Sequence, residues 1–413
     1  MVQIRPFKGI RPEEKLVEKI ASLPYDVLDS NEARALGEKN PYSYLHIDKA
    51  EIDLPETRSP YDCTVYEQAR KNLAAFQKKH WLKKEDQPVL YLYELTMSGH
   101  VQTGIVCCTS IEEYLEGQIK KHEYTRPEKE QDRINHSDVC DANTSPIFLT
   151  YRAQDAIDEL ICKWKDQFSP IYNFTSFHNV THRVWLVDQT ETITQLERLF
   201  RNVPALYIAD GHHRTESAVK VGQKRQAQFP DAPSDAEFNV FLSVLFPKEQ
   251  LKILDYNRVL NVPIPPNFLQ QLEQHFFLKK VKKAEAKPQT KHDFALYLNH
   301  QWYRLTAKHP TSSKDIIDQL DVTILQKEVF ERFFDIQDIR TDKRIDFVGG
   351  IRGLDELERL VDNQTFTLAF ALFPTTMDDL LNVADHGLIM PPKSTWFEPK
   401  LLSGLFVHDF ETK

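Results

Sequence analysis

Apolar segments of strand length recur along the whole chain, and segments of helical length lie between them in no regular order. The longest apolar runs, Phe241–Phe246 and Phe366–Phe373, have the length of buried strands and fall well short of the roughly 18 residues of a membrane-spanning helix. A regular alternation of strand and helix would predict a doubly wound sheet, whereas this irregular order favours an α+β fold. The sequence therefore predicts mixed sheets with surrounding helices.

Local patterns predict several elements directly. Strand-like segments on both sides of Ser98-Gly99 predict a β-hairpin, and the segments around Asn299-His300 predict a second one. The segment Val65–His80 has apolar residues near helical spacing and predicts a surface helix. Finally, the apolar strand Ala205–Asp210 is followed directly by a helical segment.

The chain of 413 residues is long enough for two domains. The segment Gln226–Glu237 is rich in Pro, Asp, Ala and Gln and predicts a loop or a domain boundary. We therefore predict an N-terminal α/β region over residues 1–225, and a C-terminal α+β region over residues 237–413 that contributes to the functional site.

Charge and cysteine content narrow the class of protein. The 52 Lys and Arg residues face 61 Asp and Glu residues, for a net charge of -9, which argues against a DNA-coating role because such proteins are basic where they bind. Charged residues begin at Arg5 and no apolar signal segment follows. Five irregularly spaced cysteines argue against a disulfide framework and for a reducing compartment. The sequence predicts a cytoplasmic protein that acts on small molecules, with no membrane and no nucleic-acid partner; a homodimer is left open.

The first candidate site is the run Asp210-Gly211-His212-His213-Arg214, which follows a strand and opens a helix. Gly211 permits a sharp turn, and the free N–H groups of the helix start point into that turn. Arg214 offers a planar fork for phosphate or carboxylate, while Asp210 could hold a metal ion or orient a histidine. The alternative is a capped helix start with two surface histidines. Four ionisable side chains in five residues favour the functional interpretation.

The second candidate lies in Lys120–Pro127 and contains His122-Glu123. Glu123 has cationic neighbours that would keep it ionised, and it could take a proton from a hydroxyl group. The alternative is a solvated run of charges.

The third candidate is Met390–Lys400, in which three prolines stiffen a loop that carries Lys393, Ser394 and Thr395. These side chains suit contacts to an anion, and the aromatic residues that follow them could cover a site. The alternative is a rigid connector with an aromatic anchor.

Several common sites are not supported. Neither GxxxxGK[ST] nor GxGxxG occurs, so a bound phosphate would not lie in either of the commonest glycine-rich loops. No CxxC or HExxH pair occurs, and the spacing of His136 and Cys140 resembles that of zinc ligands. We therefore expect neither structural zinc nor a Cys/His nucleophile pair.

Longer motifs resemble those of a large bacterial and archaeal family of conserved proteins of unknown function, commonly labelled ParB-like or RepB-like. They are, in order, IRPFKGIRP, PYDVL, NPYSYLHI, KHEYTRPEKEQDR, NTSPIFLTY, ALYIADGHHRTESA and MPPKSTWFEPKLLSGL. The resemblance spans nearly the whole chain. It implies a ParB/sulfiredoxin-like core over about residues 85–225 that is elaborated at both ends, since the related superfamily includes sulfiredoxins and free-serine kinases.

The resemblance also implies roles for individual residues. In the serine kinases an HE pair and a later DGHHR-like turn form the active centre, and this sequence has both. By this similarity Glu123, with His122, would be the base, and Asp210 would bind Mg²⁺ or substrate. The residues that would hold the phosphates of ATP or ADP are Arg126, Gly211, His212, His213 and Arg214.

The terminal segments have no counterpart in the small serine kinases, and they carry polar residues that would line the rim and set substrate choice. These are Tyr25, Asp26, Arg352, Lys393, Ser394 and Thr395. The sharpest structural prediction is that Glu123 and the turn 210–214 line one pocket.

The leading functional prediction is a kinase for a small hydroxylated metabolite, with free L-serine as the first acceptor to consider. The alternative is a ParB-like nucleotide-binding regulator without metabolite catalysis. Such proteins carry a helix-turn-helix after the nucleotide site, and no helix pair with a basic second helix follows Arg214. A metabolite-binding scaffold without catalysis is a third alternative.

Overall fold

The computed structural model describes residues 1–308 and 315–411, and the chain divides into two compact units. The first unit comprises Met1–Lys120, Thr125–Leu251 and Pro399–Lys413, and the second comprises Lys121–Tyr124 and Lys252–Glu398. The chain therefore leaves the first unit after Leu251, and the predicted boundary segment Gln226–Glu237 lies inside that unit. Among the described helices, none has the length and apolar character needed to cross a membrane.

The first unit contains the following strands, numbered in chain order: β1 (Ile4–Arg5), β2 (Ile10–Pro12), β3 (Leu82–Lys84), β4 (Leu90–Met97), β5 (His100–Ser110), β6 (Ile119–Lys120), β7 (Ala142–Asn143), β8 (Ile147–Tyr151), β9 (Tyr172–Thr175), β10 (Thr181–Val187), β11 (Leu206–Asp210), β12 (Val240–Pro247) and β21 (His408–Asp409). Its helices are α1 (Val17–Ile20), α2 (Ser30–Gly37), α3 (Leu45–Asp48), α4 (Cys63–Lys78), α5 (Ile111–Leu115), α6 (Pro127–Cys140), α7 (Asp155–Gln167), α8 (Thr190–Phe200) and α9 (His212–Gln228).

A mixed sheet of nine strands organises the first unit, in the order β6-β11-β8-β12-β5-β4-β10-β9, with β1 beside β5. The β6–β11 and β8–β12 pairs are parallel, and the other pairs are antiparallel. One face packs against apolar residues of α5, α7, α8 and α9. Central strands such as β4 are buried on both faces, which explains why they are apolar almost without interruption. The predicted α+β class, with a large mixed sheet and surrounding helices, is confirmed.

The second unit contains β13 (Lys252–Leu254), β14 (Tyr256–Leu260), β15 (Phe276–Val281), β16 (Asp293–Leu298), β17 (Gln301–Ala307), β18 (Ile345–Gly349), β19 (Leu368–Leu372) and β20 (Trp396–Glu398). Its helices are α10 (Phe268–Leu272), α11 (Lys283–Ala286), α12 (Asp321–Leu325), α13 (Arg332–Phe334), α14 (Gly353–Asp362) and α15 (Met377–Asp385). Six strands form an antiparallel sheet in the order β15-β17-β16-β19-β14-β18. Helix α14 supplies Leu357 to the core on one face of this sheet.

Both predicted hairpins are confirmed. Strands β4 and β5 pair up to Met97 and His100, and the two residues between them have φ values of 51° and 79°. Residues Asn299 and His300 between β16 and β17 have φ values of 50° and 58°. Two consecutive left-handed residues form the turn whose twist matches that of the flanking strands.

The helix predicted at Val65–His80 is confirmed as α4, with bounds two residues earlier. It begins at Cys63 because the Asp62 side chain caps it, accepting a hydrogen bond from the N–H of Thr64 at 2.9 Å. The predicted strand at Ala205–Asp210 is confirmed as β11.

Candidate functional site

The turn between β11 and α9 has the geometry that its sequence predicts. Strand β11 ends at Asp210, Gly211 has φ 98° and ψ 31°, and α9 begins at His212. A side chain at position 211 would be strained in this left-handed conformation, and its Cβ would lie 3.2 Å from Nε of Arg214. Gly211 therefore allows both the turn and the close approach of the Arg214 side chain.

Asp210 lies among cationic groups at the end of β11. Its Oδ2 accepts a hydrogen bond from the Lys400 ammonium at 2.9 Å. Burial disfavours the ionised carboxylate, but Lys400 and Arg214 outweigh that effect and hold the pKa of Asp210 well below its usual range. Asp210 is thus an ionised carboxylate at neutral pH, as a metal ligand or an orienting group would need to be.

Arg214 is largely buried, with 11% of its side chain exposed. Its Nη1 donates to the Pro146 carbonyl at 2.6 Å, and its Nη2 lies 4.0 Å from the Asp26 carboxylate. Its Nε is buried and has no hydrogen-bond partner among the described residues. Burial lowers the pKa of Arg214, but the negative charges of Asp26 and Asp210 raise it by more than burial lowers it, so the net shift is upward. The guanidinium is therefore charged, and its Nε–H can donate a hydrogen bond to a ligand.

Arg214 faces a small pocket inside the first unit. The pocket is lined by Tyr25, Arg133, His136, Ser137, Asn143, Thr144, Ser145, Ile147, Arg214 and Ser217. Its volume of about 30 Å³ has room for about two water molecules. A single phosphoryl or carboxylate group is of this order of size, whereas a whole nucleotide would extend out of the pocket.

A second guanidinium, that of Arg133 on α6, lines the same pocket. It is paired with Asp132 at 2.7 Å and lies 4.0 Å from the centre of the Tyr25 ring. Burial lowers the pKa of Arg133, but Asp132 and Tyr25 raise it by more than burial lowers it, so this guanidinium also stays charged. The pocket thus has two fixed positive charges on its walls.

The hydroxyl groups of the pocket are held by a buried carboxylate. Asp48 accepts hydrogen bonds from Ser145 at 2.8 Å and from Thr144 at 3.2 Å. Burial raises the pKa of Asp48. His136 lies 3.2 Å from the Thr144 hydroxyl, and burial lowers its pKa well below the usual range, so its imidazole is neutral. The spacing of His136 and Cys140 that resembled a zinc motif places both residues in buried positions on α6.

Ion pairs between α6 and α9 set the positions of the two arginines. Buried Arg225 on α9 binds Asp138 at 2.9 Å and Asp141 at 2.7 Å, both at the C-terminal end of α6. Asp141 ends α6 in a left-handed conformation with φ 57°. Because α6 and α9 are fixed to each other in this way, Arg133 and Arg214 are held towards one pocket.

Arg126 and His213 are also brought together. The Arg126 N–H, at the start of α6, donates to Nε2 of His213 at 3.0 Å. This contact links the first turn of α6 to the first turn of α9.

Six of the predicted site residues lie in the second unit. His122 is buried, and its carbonyl accepts from the N–H of Met390 at 2.8 Å. The loop that follows Met390 is fixed by internal bonds, in which the Ser394 hydroxyl donates to Pro391 and the Ser394 carbonyl accepts from Thr375. Arg352 is mostly exposed and lies 3.7 Å from Glu356.

The predicted residues therefore fall into two groups. Those in the first unit are Tyr25, Asp26, Arg126, Asp210, Gly211, His212, His213 and Arg214. Those in the second unit are His122, Glu123, Arg352, Lys393, Ser394 and Thr395. A joint role for Glu123 and Asp210 stays a prediction of the motifs.

Sequence reasoning missed Arg133, Ser145 and Lys400. All three lie inside motifs that carried the family resemblance, namely KHEYTRPEKEQDR, NTSPIFLTY and MPPKSTWFEPKLLSGL. The residue identities in these motifs thus indicated the site, although the spacing of the motifs along the chain did not.

The structure thus shows an α+β protein with a small pocket that two largely buried guanidinium groups line. The chain belongs to the family described as "Protein of unknown function (DUF1015)", whose model matches residues 4–323. No curated protein sequence matches the chain.

Several solved structures are similar over much of their length. A conserved hypothetical protein from Pyrococcus furiosus is 13% identical with a TM-score of 0.36, covering 74% of this chain and 95% of its own. A free serine kinase in complex with AMP is 12% identical with a TM-score of 0.37, covering 71% and 86%. C-terminally truncated SbnI from Staphylococcus aureus is 9% identical with a TM-score of 0.38, covering 75% and 90%. TM-scores this low give no basis for transferring a function.

Proposed function

We propose that this protein is a kinase-like phosphotransferase that moves a phosphoryl group from a nucleotide to the hydroxyl of a small metabolite. ATP or ADP is the proposed donor, Mg²⁺ the proposed metal ion, and free L-serine the first acceptor to test. The observation that carries the proposal is the pair of buried guanidinium groups, Arg133 and Arg214, that face one small pocket beside the ionised Asp210.

The pocket supports phosphate binding on physical grounds. Guanidinium groups bind phosphate through parallel N–H donors, and Arg214 has an Nε donor with no partner among the described residues. Two fixed positive charges in a largely buried place stabilise a phosphoryl group more than exposed charges would. Phosphoryl transfer needs chiefly positioning and charge stabilisation, and these groups can supply both.

Asp210 and Lys400 suit the charge balance of such a reaction. Carboxylate oxygens are ligands that Mg²⁺ accepts, and this ion is usually held by one or two carboxylates together with substrate phosphates. Lys400 holds one oxygen of Asp210 and keeps the carboxylate ionised. We propose that Asp210 binds Mg²⁺ or orients the substrate, and that Lys400 is a positioning residue.

Glu123 is proposed as the base that takes the proton of the acceptor hydroxyl. This assignment rests on the similarity of His122-Glu123 to the HE pair of the serine kinases. The same resemblance leads us to propose a ParB/sulfiredoxin-like core over about residues 85–225. An experimental structure with bound nucleotide tests the core and both residue assignments, and nucleotide phosphates remote from Asp210–Arg214 would contradict them.

The test is phosphoryl transfer by the purified protein with Mg²⁺, ATP or ADP, and a panel that contains L-serine and other small hydroxylated metabolites. We expect product with one acceptor, and a loss of at least about a hundredfold in the Glu123→Gln and Arg214→Gln variants. Glu191→Gln and Arg198→Gln, which change exposed residues of α8 in the same way, serve as matched controls and should retain activity.

The outcomes separate the two readings of the site. Product that persists in the Glu123→Gln variant would contradict the base assignment. Nucleotide binding that depends on Arg214, with no product from any acceptor, would favour the alternative of a ParB-like nucleotide-binding regulator.

A further inference from the structure

Arg258, on strand β14 of the second unit, is a buried charge without a carboxylate partner. Its side chain is among the largest fully buried ones, and 1% of the residue is exposed. It donates to the carbonyls of Tyr256 and Lys393, the latter at 3.0 Å, and it forms no ion pair within the described residues. Burying a charge in this way is costly unless an anion offsets it.

Aromatic rings surround the guanidinium. The centre of the Phe347 ring lies 5.3 Å from Cζ of Arg258, and the centre of the Tyr256 ring lies 5.9 Å from it. Burial lowers the pKa of Arg258 to about 10, and no carboxylate raises it again. The guanidinium is still protonated at neutral pH, so the second unit keeps an uncompensated positive charge.

Lys393 adds a second cation beside the same tyrosine. Its ammonium lies 5.7 Å from the centre of the Tyr256 ring. Like Arg258, it forms no ion pair within the described part of the chain. Its φ of 60° is uncommon for a residue with a side chain, so the loop that bears it is held in an unfavourable conformation.

Hydrogen bonds and ring packing hold this loop in place. Arg258 and Thr375 donate to the carbonyls of Lys393 and Ser394. Trp396 packs edge-on against Tyr256 with ring centres 5.0 Å apart. Gly349 makes room for this ring, because a Cβ there would lie 2.7 Å from the indole.

We propose that Arg258 and Lys393 form an oxyanion-binding site in the second unit, one that takes the phosphate or carboxylate group of a small ligand. An anion bound beside Arg258 and Lys393 would offset the cost of burying the guanidinium. Lys393 is partly exposed and supplies the accessible contact. This site is separate in its residues from the pocket of Arg133 and Arg214, and does not depend on the proposed function.

The test measures stabilisation by anions after the first pocket has been disabled. In an Arg214→Gln background, inorganic phosphate or succinate at constant ionic strength is expected to raise the melting temperature, with chloride as the reference salt. The shift should be lost when Lys393→Gln is added. It should be kept when Lys280→Gln is added instead, since Lys280 is an exposed lysine on β15, at the opposite edge of the same sheet from β14.

The two anions distinguish the ligand groups. A shift with phosphate alone assigns a phosphate site, and a shift with succinate alone assigns a carboxylate site. Equal shifts in the Lys393→Gln and Lys280→Gln proteins, or no shift in either, would overturn the proposal. Arg258→Met gives a second test, because the variant should no longer respond to phosphate, and a full response to phosphate would overturn the proposal.

Discussion

Replacing Lys400 with methionine tests whether the charges around Asp210 are arranged as described. The variant keeps most of the side-chain volume but removes the ammonium that lies 2.9 Å from Asp210. At an effective dielectric constant of about 20, two unit charges at that distance attract each other by about 6 kcal/mol before desolvation is subtracted. Lys400 is 14% exposed and Asp210 29% exposed, so the pair lies between the surface and fully buried cases.

The expected loss of unfolding free energy follows from that intermediate burial. Exposed pairs contribute about 0–1 kcal/mol, and breaking a buried pair costs about 3–5 kcal/mol. Arg214 remains nearby and offsets part of the lost charge, so we expect about 2 kcal/mol at pH 7. Urea denaturation followed by tryptophan fluorescence measures this loss. Lys84→Met, which removes more exposed ion pairs to Asp409 and Glu411, should cost less than about 1 kcal/mol.

The pH dependence gives an independent check. The folded-state pKa of Asp210 is lowered, so its contribution to stability is present above the unfolded value of about 3.9 and is lost as the pH falls towards the folded value. The difference between wild type and Lys400→Met should therefore be full at pH 7 and shrink below about pH 4. A difference that is absent at pH 7, or unchanged at low pH, would refute the reasoning.

Three further changes have expected outcomes. Gly211→Ala should lower the free energy of unfolding by about 1–2 kcal/mol because of its positive φ, and it should also weaken phosphate binding by displacing Arg214. Gly117→Ala, where a Cβ meets no atom within 4 Å, should show the backbone cost alone. Equal phosphate binding in the two variants would contradict the steric argument. Burial lowers the pKa of His182 to about 3, so NMR should show a neutral imidazole down to about pH 4. The free energy of unfolding should fall as the pH drops below about 6.5, because only the unfolded chain gains the proton there. A titration midpoint above pH 5 would disprove this. Asp62→Ala removes the cap of α4 and should cost about 1 kcal/mol in thermal or urea unfolding, and no change would show that the cap is dispensable.

The parts of the fold that the sequence predicted are those with local causes. The turn at Ser98 and the strand before Gly211 follow from residues that are adjacent in the chain, since turn chemistry and apolar patterning act over a few positions. The class of fold also follows, because the order of strand-like and helical segments limits the layers that can form.

The contacts of the site that the sequence did not predict join residues that are far apart in the chain. Lys400 meets Asp210 across 190 residues, and no periodicity records such a pairing. Arg133 on α6 and Arg214 on α9 line the same pocket, and no local pattern in the sequence links these two positions.

The return of the chain to the first unit has a consequence for biosynthesis. Asp210 and the helix that follows it are made first, and the ammonium partner of Asp210 comes 190 residues later. At about 5–20 residues per second, translation needs roughly 10–40 s to cover that distance. During this interval a nascent chain can assemble the sheet and both pocket arginines while Asp210 still lacks Lys400. The ion pair between Asp210 and Lys400 can thus form only after the whole second unit has been synthesised, so a prematurely terminated chain would carry Asp210 without its lysine partner.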